Sequence, residues 1–266
     1  MPEVERAGVR LHYTDEGAGA PVLLVHGHTL DHRVWDGVAP ILVGAGRRVI
    51  RPDLRGHGAS SRPDRGYHPS VHAADMAAVL DGAGLERAAV VGFSLGGGIA
   101  LEMALATASS VERLVLASPV LPDRPFEAEF FESMRRVASV ARREGITAAM
   151  LGPWMESPLW GSSLDDPEVR ATLTAMLRDF PGADYLATQR DRIERGWTVP
   201  DRLGEIAAPT LVMVGAREMA GFKGWAREIA SGIPEARLVE LDGCGHLHLL
   251  EDPERVAGLI LDHLAQ

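Results

Sequence analysis

The stretch Val90-Val91-Gly92-Phe93-Ser94-Leu95-Gly96-Gly97-Gly98 constrains this chain more than any other. An apolar run stops at glycine, a serine follows two positions later, and glycine returns two positions beyond it. An apolar segment with helical character, Ile99 to Ala106, comes next. The G-x-S-x-G pattern describes a sharp strand-to-helix turn that lifts a serine hydroxyl clear of a sheet. Gly92 and Gly96 lack the Cβ atoms that would keep the two arms of such a turn apart. The turn also leaves backbone N–H groups at a helix N-terminus, where they can stabilise developing negative charge. Ser94 is a nucleophile if the rest of the chain supplies a base, an acid and oxyanion donors.

The chain on either side alternates between strands and helices. Val9 to Tyr13 and Val22 to Val25 read as strands joined by a turn over Asp15-Glu16-Gly17-Ala18-Gly19. The second is a continuous apolar run, as expected of a strand buried on both faces. Trp35 to Leu42 reads as a short helix, Arg48 to Arg51 as a strand and residues 70–83 as a helix. Ala88 to Val91 feeds the Ser94 turn, and Val111 to Ala117 is the next strand. From about residue 122 to 200 the sequence is helix-like, with clustered prolines and no convincing strand. Alternation resumes with Thr210 to Val214, Gly224 to Ser231, Ala236 to Leu241 and Pro253 to Leu264. A parallel α/β sheet interrupted by a helical excursion is the simplest description.

Composition narrows the functional classes. Apolar residues make up 46% and charged residues 24% of 266 residues, which suits one large globular domain or one domain carrying an insertion. The formal charge of −10 is spread along the chain, which argues against nucleic acid or an anionic membrane as partner. Cys244 is the only cysteine, so no intramolecular disulfide forms and a reducing cytoplasm is the expected compartment. The charged start of the chain lacks a signal-peptide pattern, and no run of about eighteen apolar residues is present.

A hydrolytic serine needs a general base, a carboxylate to orient it and donors for the oxyanion. Downstream of Ser94 the histidines are His246, His248 and His263. His246 sits in Gly243-Cys244-Gly245-His246, a loop directly after a strand whose glycines let the imidazole reach across the sheet edge. That placement favours it over His248, which belongs to the following helix, and over His263, expected on the surface of the last helix. For the acid, Glu218 is the only carboxylate in the loop after the 210–214 strand. It is favoured over Asp123, in the loop after the 111–117 strand, and over a surface pairing of Glu218 with Arg217 or Lys223. Oxyanion donors would be the backbone N–H groups of Leu95 and His28. His26 and His57 read as structural, with ring nitrogens satisfying backbone groups. A zinc site from His26, His28 and His32 lacks the usual cysteine or H-E-x-x-H partners. No metal or other cofactor is therefore expected.

Four stretches together carry a resemblance to a known family. They are His26-Gly27 after a strand, Asp53-Leu54-Arg55-Gly56-His57-Gly58-Ala59-Ser60, Gly92-Phe93-Ser94-Leu95-Gly96-Gly97, and Gly245-His246 followed by Leu250-Glu251-Asp252-Pro253-Glu254. With the strand rhythm they span residues 9–264, and the chain resembles an α/β-hydrolase-fold enzyme of the esterase and lactonase type. The resemblance implies a mostly parallel eight-stranded sheet flanked by helices, with a helical cap inserted after strand 6. The core would be residues 1–121 and 201–266 and the cap residues 122–200. It implies the order serine, acid, histidine, which Ser94, Glu218 and His246 satisfy. The family usually carries aspartate where this chain has Glu218, although glutamate serves in some relatives.

The resemblance also bounds the chemistry. A serine nucleophile excludes the epoxide hydrolases and haloalkane dehalogenases of similar fold, which use aspartate there. The 122–200 segment resembles the cap of 3-oxoadipate enol-lactonase-like enzymes at Trp154, at Met176-Leu177-Arg178-Asp179-Phe180-Pro181 and at Asp184-Tyr185. Met150, Leu151, Trp154, Met155, Leu159 and Trp160 would form an apolar wall of the substrate pocket. Packing of cap helices on one another is the competing role for each of them. Arg190 or Arg192 would meet the charge of an acidic lactone. The expected partner is thus a small-molecule ester or lactone, with homo-oligomerisation left open. A C–C bond hydrolase or cofactor-free perhydrolase on the same triad, and a non-catalytic ligand-binding homologue, are the alternatives.

Overall fold

The computed structural model describes residues 2–189 and 195–266. Its strands are β1 (Glu3–Arg6), β2 (Val9–Gly17), β3 (Ala20–Val25), β4 (Arg47–Pro52), β5 (Ala88–Phe93), β6 (Val111–Ala117), β7 (Thr210–Gly215) and β8 (Arg237–Leu241). They form one sheet in the order β1-β2-β4-β3-β5-β6-β7-β8. β1 and β2 are antiparallel to their neighbours, and every later pairing is parallel. The central strands explain their own sequences: Leu23, Leu24 and Val25 of β3 and Val90, Val91 and Phe93 of β5 are wholly buried. Helices cover both faces of such strands, so both faces must be apolar.

Two sequence expectations change at the antiparallel edge. The turn expected over Asp15 to Gly19 starts later, because Asp15, Glu16 and Gly17 continue β2 alongside β4. Cross-strand charge pairs hold this extension, with Arg48 bonded to Asp15 at 2.9 and 2.7 Å and Arg51 bonded to Glu16. β1 carries no apolar run because it is an edge strand whose residues alternate between exposed and half-buried.

Among the described residues the helices before the excursion are α1 (Ala39–Gly44), α2 (Pro69–Gly82) and α3 (Leu95–Ala106). The helix expected over Trp35 to Leu42 divides into a 3-10 turn at His32–Trp35 and α1, whose second residue is Pro40. Proline suits a first helical turn because its missing N–H would have no partner there. Between β6 and β7 the described chain has no strand. It forms α4 (Ala128–Glu144), α5 (Ile146–Ala149), α6 (Pro167–Asp179), α7 (Ala183–Leu186) and α8 (Val199–Arg202). α9 (Ala220–Gly232), α10 (His248–Glu251) and α11 (Pro253–Leu264) complete the chain. No helix of the described residues is long and apolar enough to cross a membrane.

The excursion is fastened to loops that follow β3, β4, β6 and β8. Trp154 Nε1 donates to Thr29 Oγ1 at 2.9 Å, Thr188 donates to Asp64 at 2.7 and 2.5 Å, and the N–H of Leu247 donates to Ser163 Oγ at 3.2 Å. Arg195 bridges Glu102 of α3, at 2.8 and 2.9 Å, to Asp123 at 2.5 Å. These ties set the helices over the carboxyl ends of the parallel strands. His263 departs from expectation: it is buried, with Nε2 donating to the Pro209 carbonyl at 3.1 Å.

Candidate active site

Strand order fixes where a site can form. β3 leads through α1 to β4 on one side, and β5 leads through α3 to β6 on the other, so the sheet changes direction between β3 and β5. A crevice opens at the carboxyl ends of strands at such a point. The loops after β3 and β5, which hold His28 and Ser94, flank it.

Ser94 occupies the turn between β5 and α3 with φ 54° and ψ −116°, a backbone conformation in which a non-glycine residue is strained. Packing enforces it. A Cβ on Gly92 would lie 2.2 Å from the Gly96 carbonyl oxygen, and one on Gly96 would lie 2.2 Å from that of Val25. The Ser94 N–H donates to the Ala117 carbonyl at 2.9 Å, and its own carbonyl accepts from Val120 at 2.9 Å. Leu95 opens α3, so its N–H has no intrahelical acceptor. Gly27 packs on the serine, since a Cβ there would stand 3.1 Å from Ser94 Cβ. His28 follows it directly.

Glu218 and His246 come together from the loops after β7 and β8. His246 Nδ1 donates to Glu218 Oε2 at 2.6 Å, and both side chains are buried. That bond leaves the lone pair on Nε2. Glu218 Oε1 accepts from the Met219 N–H at 2.9 Å, which fixes the carboxylate plane. Phe222, Phe93 and Trp160 enclose the imidazole, at centroid separations of 4.9, 5.0 and 6.1 Å. Glu251 accepts from the Gly245 N–H at 3.1 and 3.0 Å and so braces the histidine loop from behind. Burial raises the pKa of Glu251 against that bond.

The competing residues have other partners. Asp123 accepts from the Val199 N–H at 2.9 Å and from Arg195, fastening the end of the excursion. His248 is buried beside Phe93, outside the cavity lining. Burial first, then His246, pushes its pKa down to about 4. Lys223 bonds to Glu240 and to the Ala216 carbonyl rather than to Glu218.

His26, His28 and His32, the trio weighed as a zinc site, each have a different partner. His26 Nδ1 donates to the Gly27 carbonyl at 2.8 Å, while Nε2 accepts from Leu54 at 3.0 Å. His57 uses Nδ1 on the Arg55 carbonyl and Nε2 on the Thr29 N–H, at 3.0 and 3.3 Å. His28 bonds to Asp184, and His32 bonds to Asp53. Asp53 accepts from His12, from the ring and backbone of His32 and from Ala59, so both its oxygens are engaged in tying the loop together.

Ser94, His246, His28 and Leu95 line one cavity of about 620 Å³. Its opposite wall includes Phe130, Trp154, Leu159, Trp160 and Tyr185 from the excursion. Of the expected pocket residues, Trp154, Leu159 and Trp160 therefore line the cavity. Met150 and Met155 lie outside its lining: Met150 is fully buried among core side chains, and Met155 packs half-buried against them. Leu151 is exposed. Arg190 and Arg192 lie outside the described residues. Phe130 and Phe222 were not apparent as pocket residues in the sequence, because single aromatics on amphipathic helices look the same whether they meet a cavity or a core.

Residues 22–259 match the model of the alpha/beta hydrolase family, and the chain belongs to that family. It is an α/β-fold hydrolase. Among solved structures it is similar to Est816, an N-acyl homoserine lactone degrading enzyme, with 30% identity and a TM-score of 0.81 over 98% of this chain and 99% of that one. A thermophilic esterase from Thermogutta terrifontis shares 29% identity with a TM-score of 0.82, covering 99% and 97% of the two chains. The 2-hydroxymuconate semialdehyde hydrolase of Pseudomonas sp. (strain CF600) is 28% identical over 99% of this chain and 93% of its own. Its relatives thus include a lactone-degrading enzyme, an esterase and a semialdehyde hydrolase.

Proposed function

We propose that the protein cleaves small carboxylic esters or lactones through an acyl-enzyme on Ser94, with His246 as general base and Glu218 as its orienting acid. As Ser94 Oγ attacks the carbonyl carbon, its proton passes to His246 Nε2 and the carbonyl electron pair moves onto oxygen. The N–H groups of Leu95 and His28 receive that oxyanion. Glu218 stabilises the imidazolium and keeps the ring in the required tautomer. Collapse restores the carbonyl and breaks the bond to the alkoxide, which leaves with the proton from His246. Water repeats the sequence and frees the acid and the serine. Residues 122–200 act as a cap that shapes the pocket on a core of residues 1–121 and 201–266. A cytoplasmic location belongs to the same reading and draws support from the single cysteine, Cys244.

The observation that carries this reading is the buried 2.6 Å bond between Glu218 and His246, whose ring lines the same cavity as a serine held in a strained turn. Initial rates on p-nitrophenyl acetate, γ- and δ-lactones and a vinylogous diketone test it. Ester or lactone turnover should appear and fall by about 10³-fold or more in Ser94→Ala. Cleavage of the diketone alone would favour C–C hydrolysis. No turnover of any of them would leave a ligand-binding homologue.

A further inference from the structure

The end of the cavity nearest the oxyanion loop carries polar atoms that the proposed chemistry does not use. His28 Nε2 donates to Asp184 Oδ2 at 2.7 Å, joining the loop after β3 to α7. The Asp184 side chain keeps 20% of its exposure, yet its other oxygen, Oδ1, is buried and has no hydrogen-bond partner among the described residues. Tyr185 Oη is buried and unpartnered in the same way. Asp184, Tyr185 and His28 all line the cavity that holds Ser94 and His246. The rings around them leave little freedom: His28 lies 5.5 Å from Tyr185, 5.9 Å from Phe180 and 6.1 Å from Trp154, centroid to centroid.

Buried polar atoms without partners are costly, and of the six such side-chain atoms among the described residues only these two belong to residues that line the cavity. The carboxylate oxygen is an acceptor. Burial pushes the Asp184 carboxyl up, but the adjoining His28 outweighs it and holds the pKa at about 2, so the group is charged at neutral pH. Burial, and then Asp184, raises the Tyr185 phenol, which stays neutral and able to donate. A bound group that donates to one and accepts from the other would satisfy both.

We propose that Asp184 and Tyr185 form a subsite beside the scissile carbonyl that selects substrates bearing a neutral hydroxyl or amide there. Carboxylates are rejected at this subsite, because a second negative charge would face Asp184 across a short, partly desolvated gap. The location follows from the chain: His28 comes directly after Gly27, which packs on Ser94, and its imidazole grips Asp184. The inference rests on Ser94 as nucleophile and narrows the ester or lactone class to members with a donor-acceptor group next to the carbonyl.

Binding to Ser94→Ala protein separates this subsite from turnover. The probes are γ-butyrolactones carrying hydroxyl, methyl or carboxylate on the carbon next to the carbonyl, with affinities read by calorimetry or ligand-observed NMR. The hydroxyl lactone should bind about tenfold or more tightly than the near-isosteric methyl lactone. Adding Tyr185→Phe should shrink that ratio severalfold, and adding Asp184→Asn should shrink it and strengthen binding of the carboxylate lactone. Equal binding of hydroxyl and methyl lactones, as expected if the two atoms only hold water, would overturn the subsite. So would a preference that survives both substitutions. Turnover of p-nitrophenyl acetate by the wild type reports separately on the nucleophile.

Discussion

Glu218 carries one methylene more than the aspartate usual at its place, and its local bonds show how the extra length is taken up. One carboxylate oxygen folds back onto the N–H of the next residue, Met219, and the other reaches His246. A freely rotating glutamate would lose side-chain entropy each time it met the imidazole, and this clamp spends it on folding instead. Glu218→Gln should lower kcat by about 10²–10⁴-fold on any ester substrate while leaving the fold intact. Asp123→Asn should instead lower the melting temperature more than kcat, since Asp123 accepts from Val199 and Arg195. Steady-state rates and melting curves on the two variants check both; the reverse pattern would reassign the acid to Asp123. Ser94, His246 and Glu218 were legible in the sequence as candidates because each sits in a glycine-bounded or strand-ending loop where a polar side chain has few structural uses. Met150 and Met155 were not, since side-chain type does not say which face of a cap segment meets a cavity. Asp184 and Tyr185 stood out only by resemblance, because their significance lies in a contact with His28, 156 residues away.

At the level of elements, the parallel strands were readable because burial on both faces leaves unbroken apolar runs. β6 and α11 were read with the boundaries they have, Val111–Ala117 and Pro253–Leu264. The misreadings fall where tertiary contacts override local pattern. β2 continues through Asp15 and Glu16 because Arg48 and Arg51 across the sheet neutralise them. His263 is buried because α11 packs near the start of β7, where its Nε2 shares the Pro209 carbonyl with the Leu114 N–H. The turn at Ser94 combines both kinds of information. Its glycine spacing is visible in sequence, whereas the atoms that forbid a Cβ belong to Gly96 itself and to Val25 of a neighbouring strand. Trp154 shows the same division: its place in the excursion was legible, but its bond to Thr29, which sets the excursion on the loop after β3, was not.

Across the whole molecule, buried histidines couple stability to pH. Burial, then the neighbouring His26, lowers His57 to about 3, while His248 lies at about 4. His26 and His72 are also lowered by burial. Each binds protons less readily folded than unfolded, so the stabilisation they reflect is complete above about pH 6.5 and is lost as pH falls toward the folded values. His32, raised by its bond to Asp53, and Glu251, raised by burial, act in the opposite sense. With several histidines against these two groups, the melting temperature should fall by roughly 10 °C or more between pH 7 and about pH 4.5. A flat or rising profile over that range would show that these rings are not held neutral. The same buried framework presents Ser94 and His246 to one cavity, with Glu218 buried behind the imidazole, and a covalent probe reads that arrangement most directly. Intact-mass and peptide analysis after fluorophosphonate treatment should find one adduct per chain, on the peptide containing Ser94. It should form about 10²-fold more slowly in Glu218→Gln and not at all in Ser94→Ala. An unmodified wild-type chain, or an adduct on another residue, would contradict Ser94 as the nucleophile of this hydrolase.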